Sequence, residues 1–331
     1  MDDHPDIRET TAEFLSDAFG EARRTCRALL ATSPQLSFLG HYSQDLFDFG
    51  FDVLDGSDQD VEGAQWLGRQ VSYEMNALNR VLQAARTGGL IRTVLQTERA
   101  GVICQSVVPR ENVVGLSFDD SPTDEPDLLL TDAPEVRGAD LALSGLVDEL
   151  RALISLPSLN PGGWASAAEP TALAVTQQAT EPEVWLADAG ADRAVLEACL
   201  VAARPEDLHF VGYCAGGELL ATVDHLGHAS LAPFFTQISV ATRRAFYRGF
   251  SQQFGPLVLK LNRLLAGLRP SGLLLRVVLD VELGAIYCYR LGTEEYLVGV
   301  TVAQARVSNA DERMARLART CADLLEQRYA G

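Results

Sequence analysis

The stretch Arg92–Leu116, "RTVLQTERAGVICQSVVPRENVVGL", returns without a gap as Arg276–Val300, "RVVLDVELGAIYCYRLGTEEYLVGV". Arg92/Arg276, Val94/Val278, Leu95/Leu279, Glu98/Glu282, Cys104/Cys288, Glu111/Glu295, Val114/Val298 and Gly115/Gly299 coincide, eight positions in twenty-five. Chance gives about one or two, so the chain is a tandem duplication, which sets its organisation before any element is assigned. In the second copy Val277, Leu279 and Val281 alternate with Arg276, Asp280 and Glu282. Strand side chains alternate between faces, so this reads as a half-buried strand with an outward polar face. On that face the recurring Arg92/Arg276 and Glu98/Glu282 point to cross-strand ion pairs. Turns at Leu283-Gly284 and Gly292-Thr293 make the stretch a three-stranded meander with Ala285–Leu291 and Tyr296–Val302.

The match extends outward in constant order. "LNRVLQAARTGGL" (Leu78–Leu90) lies over "LNRLLAGLRPSGL" (Leu261–Leu273), and Leu36–Gly40 over Leu208–Gly212. Downstream, Ala139-Asp140 matches Ala310-Asp311, and the apolar stripe from Leu143 to Ile154 falls on Met314 to Leu325. This gives copy 1 at residues 9–155 and copy 2 at 183–329. Between them, residues 156–182 are rich in Pro, Gly, Ala and Ser and read as a linker. Copy 1 carries an additional acidic, proline-bearing loop at 119–136.

Copy 2 shows the unit most clearly. A helix is expected near Asp192–Arg204, stopped by Pro205. Leu208–Tyr213 and Glu218–Val223 flank Gly216-Gly217 as a hairpin. A long helical stretch follows, Leu231 to Leu268, broken at Gly255-Pro256. After the meander, a final helix starts at Ser308 or Asn309, with Asp311 and Glu312 as its capping box. The expected fold class is α/β (α+β): two tandem α-β-β-α-β-β-β-α units. Each is a five-stranded, mainly antiparallel sheet with helices on both sides.

In that order, "HFVGYCAGGELLATV", the central helix and "LLRVVLDVELGAIYCYRLGTEEYLVGVTV" before a final helix resemble the Roadblock (dynein light chain) family. The nearest analogues in it are bacterial gliding-motility regulators that bind a Ras-like small GTPase. The resemblance implies side-by-side pairing, with the sheet extended across the pair and the central helices packed together. In a tandem chain that is an intramolecular pseudo-dimer, and joining two unpaired edges removes an aggregation risk. It further implies a non-catalytic adaptor that activates or scaffolds a Ras-like small GTPase and requires no cofactor. Homo-oligomers are open to it, and a self-assembling structural scaffold is the alternative.

Chemical motifs compete with that reading. Gly212-Tyr213-Cys214-Ala215-Gly216 fits G-x-C-x-G, the thiol form of a nucleophile elbow. Such an enzyme needs an acid and then a histidine downstream, and the last histidine is His228. Copy 1 has "LGHYSQDL" at that place, without Cys or the Gly pair, so Cys214 is expected to be a packed strand residue. An acyl hydrolase using Cys214 would instead require a helix after the elbow. Asp224, His225 and His228 have metal-ligand chemistry, yet copy 1 offers no histidine there, so a solvated loop is expected. No G-x-x-x-x-G-K-[ST] is present, and any nucleotide chemistry would belong to a partner. The best interaction candidate is "FFTQISVATRRAFYRGFSQQFG", where Phe235, Ile238, Phe246, Phe250 and Phe254 recur at helical spacing beside Arg243, Arg244 and Arg248. Those side chains serve either pairing between the copies or an external partner.

The formal net charge is −18, of which residues 1–155 carry 27 acidic against 12 basic side chains. Such a surface repels nucleic acid and anionic lipid and suits a basic protein partner. The acidic opening and the charge-broken apolar segment Leu273–Val302 lead to the expectation of a cytoplasmic chain without membrane insertion. Six scattered cysteines without a C-x-x-C pair fit buried thiols in a reducing compartment.

Overall fold

The two copies of the meander form the middle of one continuous sheet. The computed structural model describes residues 6–15, 17–54, 58–118, 134–159, 181–188, 190–267 and 272–330; most of the acidic loop and the linker lie outside them. The first half runs β1 (Arg8–Thr11), α1 (Gly20–Thr32), β2 (Phe38–Ser43), β3 (Leu46–Asp52), α2 (Asp58–Leu82), β4 (Leu90–Thr97), β5 (Ala100–Val108), β6 (Glu111–Phe118) and α3 (Pro134–Leu153). The second runs β7 (Glu183–Leu186), α4 (Arg193–Ala202), β8 (Phe210–Ala215), β9 (Glu218–Asp224), α5 (Val240–Gln252), α6 (Phe254–Leu265), β10 (Leu274–Val281), β11 (Gly284–Arg290), β12 (Glu295–Thr301) and α7 (Val307–Ala330). The fold is α+β, and its sheet is antiparallel with strand order β1-β3-β2-β6-β5-β4-β10-β11-β12-β8-β9-β7.

Among the described residues each half carries six strands, one more than the five expected. The additional strands, β1 and β7, are four residues long and form the two outer edges of the sheet. So short a segment shows no period, and side chains fasten it instead. Arg8 meets Asp52 of β3 at 2.6 Å, and Glu183 meets Arg244 of α5 at 2.8 Å.

The hairpins of the two halves use one turn with different residues. Gly216 and Gly217 have φ of 60° and 79°, and Gln44 and Asp45 have 52° and 67°. Two successive left-handed residues give the primed turn that matches strand twist. Downstream, the long helix breaks at Gln253. Pro256 has no N–H to donate to the carbonyl of Gln252, so the chain restarts as α6 with the proline in its first turn. At the matching place in the first half Tyr73 carries α2 through without interruption.

At the joint, β4 and β10 run antiparallel with Val94 opposite Val278, Arg92 opposite Asp280 and Gln96 opposite Arg276. The pairing obeys the repeat's own pseudo-twofold. Beyond each strand end, the N–H of Glu98 donates to Leu273 O and that of Glu282 to Gly89 O. The intramolecular pairing that the resemblance implied is therefore present. Helices α2, α5 and α6 cover one face of the sheet and α1, α3, α4 and α7 the other, each over a core drawn from both halves.

Two readings of the polar strand face are corrected by this layering. Arg92 and Arg276 do not face outward: both are buried, Arg92 on Asp140 of α3 and Arg276 on Asp311 of α7. Asp311 is likewise no capping residue. The last helix begins at Val307 after a 3-10 turn, and Asp311 lies a turn inside it.

Candidate protein-binding face

Helix α2 buries Ala64, Leu67, Val71, Met75, Leu78 and Leu82 at helical spacing against the sheet. Its exposed side mixes charged groups, Glu62, Arg69 and Arg80, with large apolar ones. Trp66, Tyr73 and Val81 are 53%, 48% and 45% exposed, with Ala77 between them. Trp66 and Tyr73 stand two turns apart, so they share one stripe. On neighbouring α6, Leu259 is 57% exposed, and the next residue, Lys260, pairs with Glu74 of α2 at 2.6 Å. The helical layer thus presents large apolar side chains to solvent across the line where the halves meet. Large apolar side chains exposed on one layer are the kind of group that interaction surfaces use. Sequence reading passed over this stripe because it weighed the central helix of copy 2 alone; Trp66 and Tyr73 at a seven-residue spacing were the available signal.

The residues expected to bind a partner divide into inner and outer groups. Arg243 is fully buried: its Nε donates to Ala85 O at 3.0 Å, Nη2 to Arg86 O at 3.2 Å and Nη1 to Phe234 O at 2.8 Å. It therefore ties α5 to the chain end of α2 across the joint, and its guanidinium lies over the Phe235 ring at 4.7 Å. Arg244 holds both oxygens of Asp224, at 2.7 and 2.8 Å, and Arg248 reaches Thr222 and lies over Trp185 of β7. These two arginines fasten the outer edge strand. Phe250 is buried between Phe246, stacked at 5.6 Å, and Phe254. Phe235, Ile238, Phe246 and Arg248 keep partial exposure.

The competing motifs have other uses. A strand, β9, follows the glycines after Cys214, where an elbow enzyme needs a helix. Cys214 is buried, donates weakly to Ser251 O at 3.6 Å, and burial pushes its thiol up to about 12. A thiol so placed has no thiolate to offer. The lone pairs of Asp224 face Arg244, and His228 caps the following turn by accepting from Ser230 N.

One buried titrating cluster was not foreseen. His41 of β2 is 1% exposed, with Nδ1 at 2.8 Å from Asp48 Oδ2 and Nε2 at 3.1 Å from Glu111 Oε1. Its ring stacks on Phe49 at 4.8 Å. Burial pushes the imidazole down, and the hydrogen bonds to Asp48 and Glu111 outweigh it, so the net shift is upward.

Among the described residues no helix is long and apolar enough to cross a membrane. No protein-family model matches the chain, and no curated protein matches it in sequence. A solved structure titled "MglB with tetrameric arrangement" is similar over 44% of this chain and 96% of its own, with 12% identity and a TM-score of 0.31.

Proposed function

We propose that this chain is a non-catalytic adaptor whose helical layer binds a Ras-like small GTPase and regulates or scaffolds it. The observation that carries this reading is the exposed apolar stripe of α2 and α6, set on one face of a sheet that the two halves share. The tandem Roadblock resemblance supplies the partner class, and the edge-to-edge joint is the pairing that resemblance implies. The partner meets Trp66, Tyr73, Val81 and Leu259, with Phe235, Ile238, Phe246 and Arg248 farther along the layer.

Calorimetric titration of the full chain with a Ras-like GTPase from the same genome, loaded with GDP or a non-hydrolysable GTP analogue, tests the reading. Binding in one nucleotide state is expected. Trp66→Ala and Tyr73→Ala should each weaken it by about tenfold or more, the usual effect of truncating a central aromatic anchor. Absence of binding in both states for every such GTPase of the genome overturns it.

The second reading, a self-assembling scaffold, is favoured by β7. This outer edge strand exposes Val184 and Leu186, and an open edge can add another strand. Sedimentation velocity without any GTPase separates the two. The scaffold reading expects oligomers that Val184→Lys disperses.

A further inference from the structure

The joint between the halves buries charges of unequal number. Arg92 comes from β4, Arg276 and Asp280 from β10, Asp140 from α3 and Asp311 from α7, and none is more than 5% exposed. Two guanidiniums therefore serve three carboxylates. The arrangement follows the pseudo-twofold with two exceptions: Gln96 stands opposite Arg276 where Asp280 stands opposite Arg92, and Gln105 meets Asp140 where Tyr289 meets Asp311.

Each arginine already has a carboxylate from its own half. Arg276 pairs with Asp311, which also accepts from Tyr289 OH at 2.7 Å, and its Nη1 donates to Gln96 Oε1 at 3.3 Å. Arg92 Nη1 donates to Asp140 at 2.5 Å, and Asp140 accepts further from Gln105 at 3.4 Å. Asp280 is the surplus acid, in the place where the other half has a neutral amide. Its Oδ2 lies 2.7 Å from Arg92 Nη2, on the guanidinium that Asp140 already shares, and no other donor among the described residues reaches either oxygen. With two guanidiniums among three buried carboxylates, one carboxyl takes up a proton rather than stay charged.

We propose that the joint is proton-loaded: Asp280 is buried as the neutral acid between the halves, and its ionisation loosens the pairing of β4 with β10. The groups acting on it are Arg92 from β4, Tyr287 from β11, Asp140 from α3 and Asp311 from α7; Arg276 on its own strand and Tyr289 from β11 are engaged with Asp311. Burial drives the Asp280 carboxyl up to about 6, Arg92 opposes this, and the charges of Asp140 and Asp311 add to it. Burial raises Asp140 too, but that side chain keeps two donors, so the proton belongs to Asp280. Both tyrosines are pushed upward by burial and stay neutral. Because the folded value lies above the unfolded one of 3.8, the stabilisation is complete below 3.8 and lost as pH rises through about 6.

The test is Asp280→Asn in the full chain, which keeps the shape and removes the charge. Through this group the wild-type folding equilibrium should weaken by about 100-fold between pH 4 and 8, the equivalent of roughly two pK units. In the variant that part of the slope should vanish, and at pH 8 it should be at least as stable as the wild type. A variant tenfold or more weaker at pH 8, with the slope intact, would show an ordinary ion pair with Arg92 and overturn the proposal. Infrared difference spectra of the wild type give a second readout that does not depend on the variant folding. A protonated-carboxyl band at pH 5 that titrates away near 6 is expected, and its absence at pH 5 overturns the proposal.

Discussion

His41 and Tyr213 occupy the same place in the repeat, and they show how single residues separate the halves. Tyr213 reaches Glu295 at 3.4 Å with its hydroxyl, whereas His41 stands between Glu111, the counterpart of Glu295, and Asp48. With a carboxylate at each ring nitrogen, both nitrogens must donate, which requires the imidazolium. The folded value is raised above the unfolded 6.5, so this stabilisation is complete below 6.5 and lost as pH climbs through the folded value. Its window lies above that of Asp280. NMR titration of the His41 ring should give a midpoint above 6.5, and melting curves of His41→Phe should lack the matching loss of stability; a midpoint below 6.5 contradicts the geometry. Little at this scale was legible beforehand. The elbow pattern around Cys214 drew attention because its spacing is local, whereas His41, Asp48 and Glu111 come from three strands and meet only once β2 is paired with β3 and β6.

Elements were legible wherever a period lasts. The meander, the first hairpin and the terminal helices follow from alternation, glycines and apolar stripes, and the break near Pro256 follows from its missing N–H. The four-residue edge strands have no period to read. The polar side of β10 misled because alternation shows which residues share a face without showing what covers it; α3 and α7 cover this one. Glycine usage at the joint was equally opaque. Gly88 and Gly272 have φ of 83° and 68°, and a Cβ on each would lie 2.6 and 2.7 Å from the Cβ of Glu282 and Glu98 of the opposite half. Gly88→Ala and Gly272→Ala should each destabilise by about 1–3 kcal/mol, from left-handed backbone strain and this overlap. Urea unfolding measures it, and an unchanged midpoint in both variants would show that the two turns yield freely.

At the scale of the molecule, the repeated stretch points to two units in one order, while the joint depended on long-range pairing that only the folded chain displays. Both cores draw residues from both halves, and Arg243 and Lys260 bridge the helical layer. Unfolding one half would strip the other of its edge and its cover, so a single cooperative transition is expected. The six thiols report it: all are buried, and those of Cys26, Cys104 and Cys214 are pushed upward by burial. Labelling by an aromatic disulfide should be negligible in the native chain and should release all six thiols together along the denaturation curve; two separate steps would mean that the halves unfold independently. The covalent joint has one more consequence. Two identical subunits must present every surface twice and admit a ligand in two equivalent orientations. Fusion lifts that constraint, and the chain has used the freedom, with an unbroken aromatic-bearing α2 on one side and the α5–α6 break on the other. A partner on this layer meets a left side and a right side, so one copy should bind per chain in one polarity.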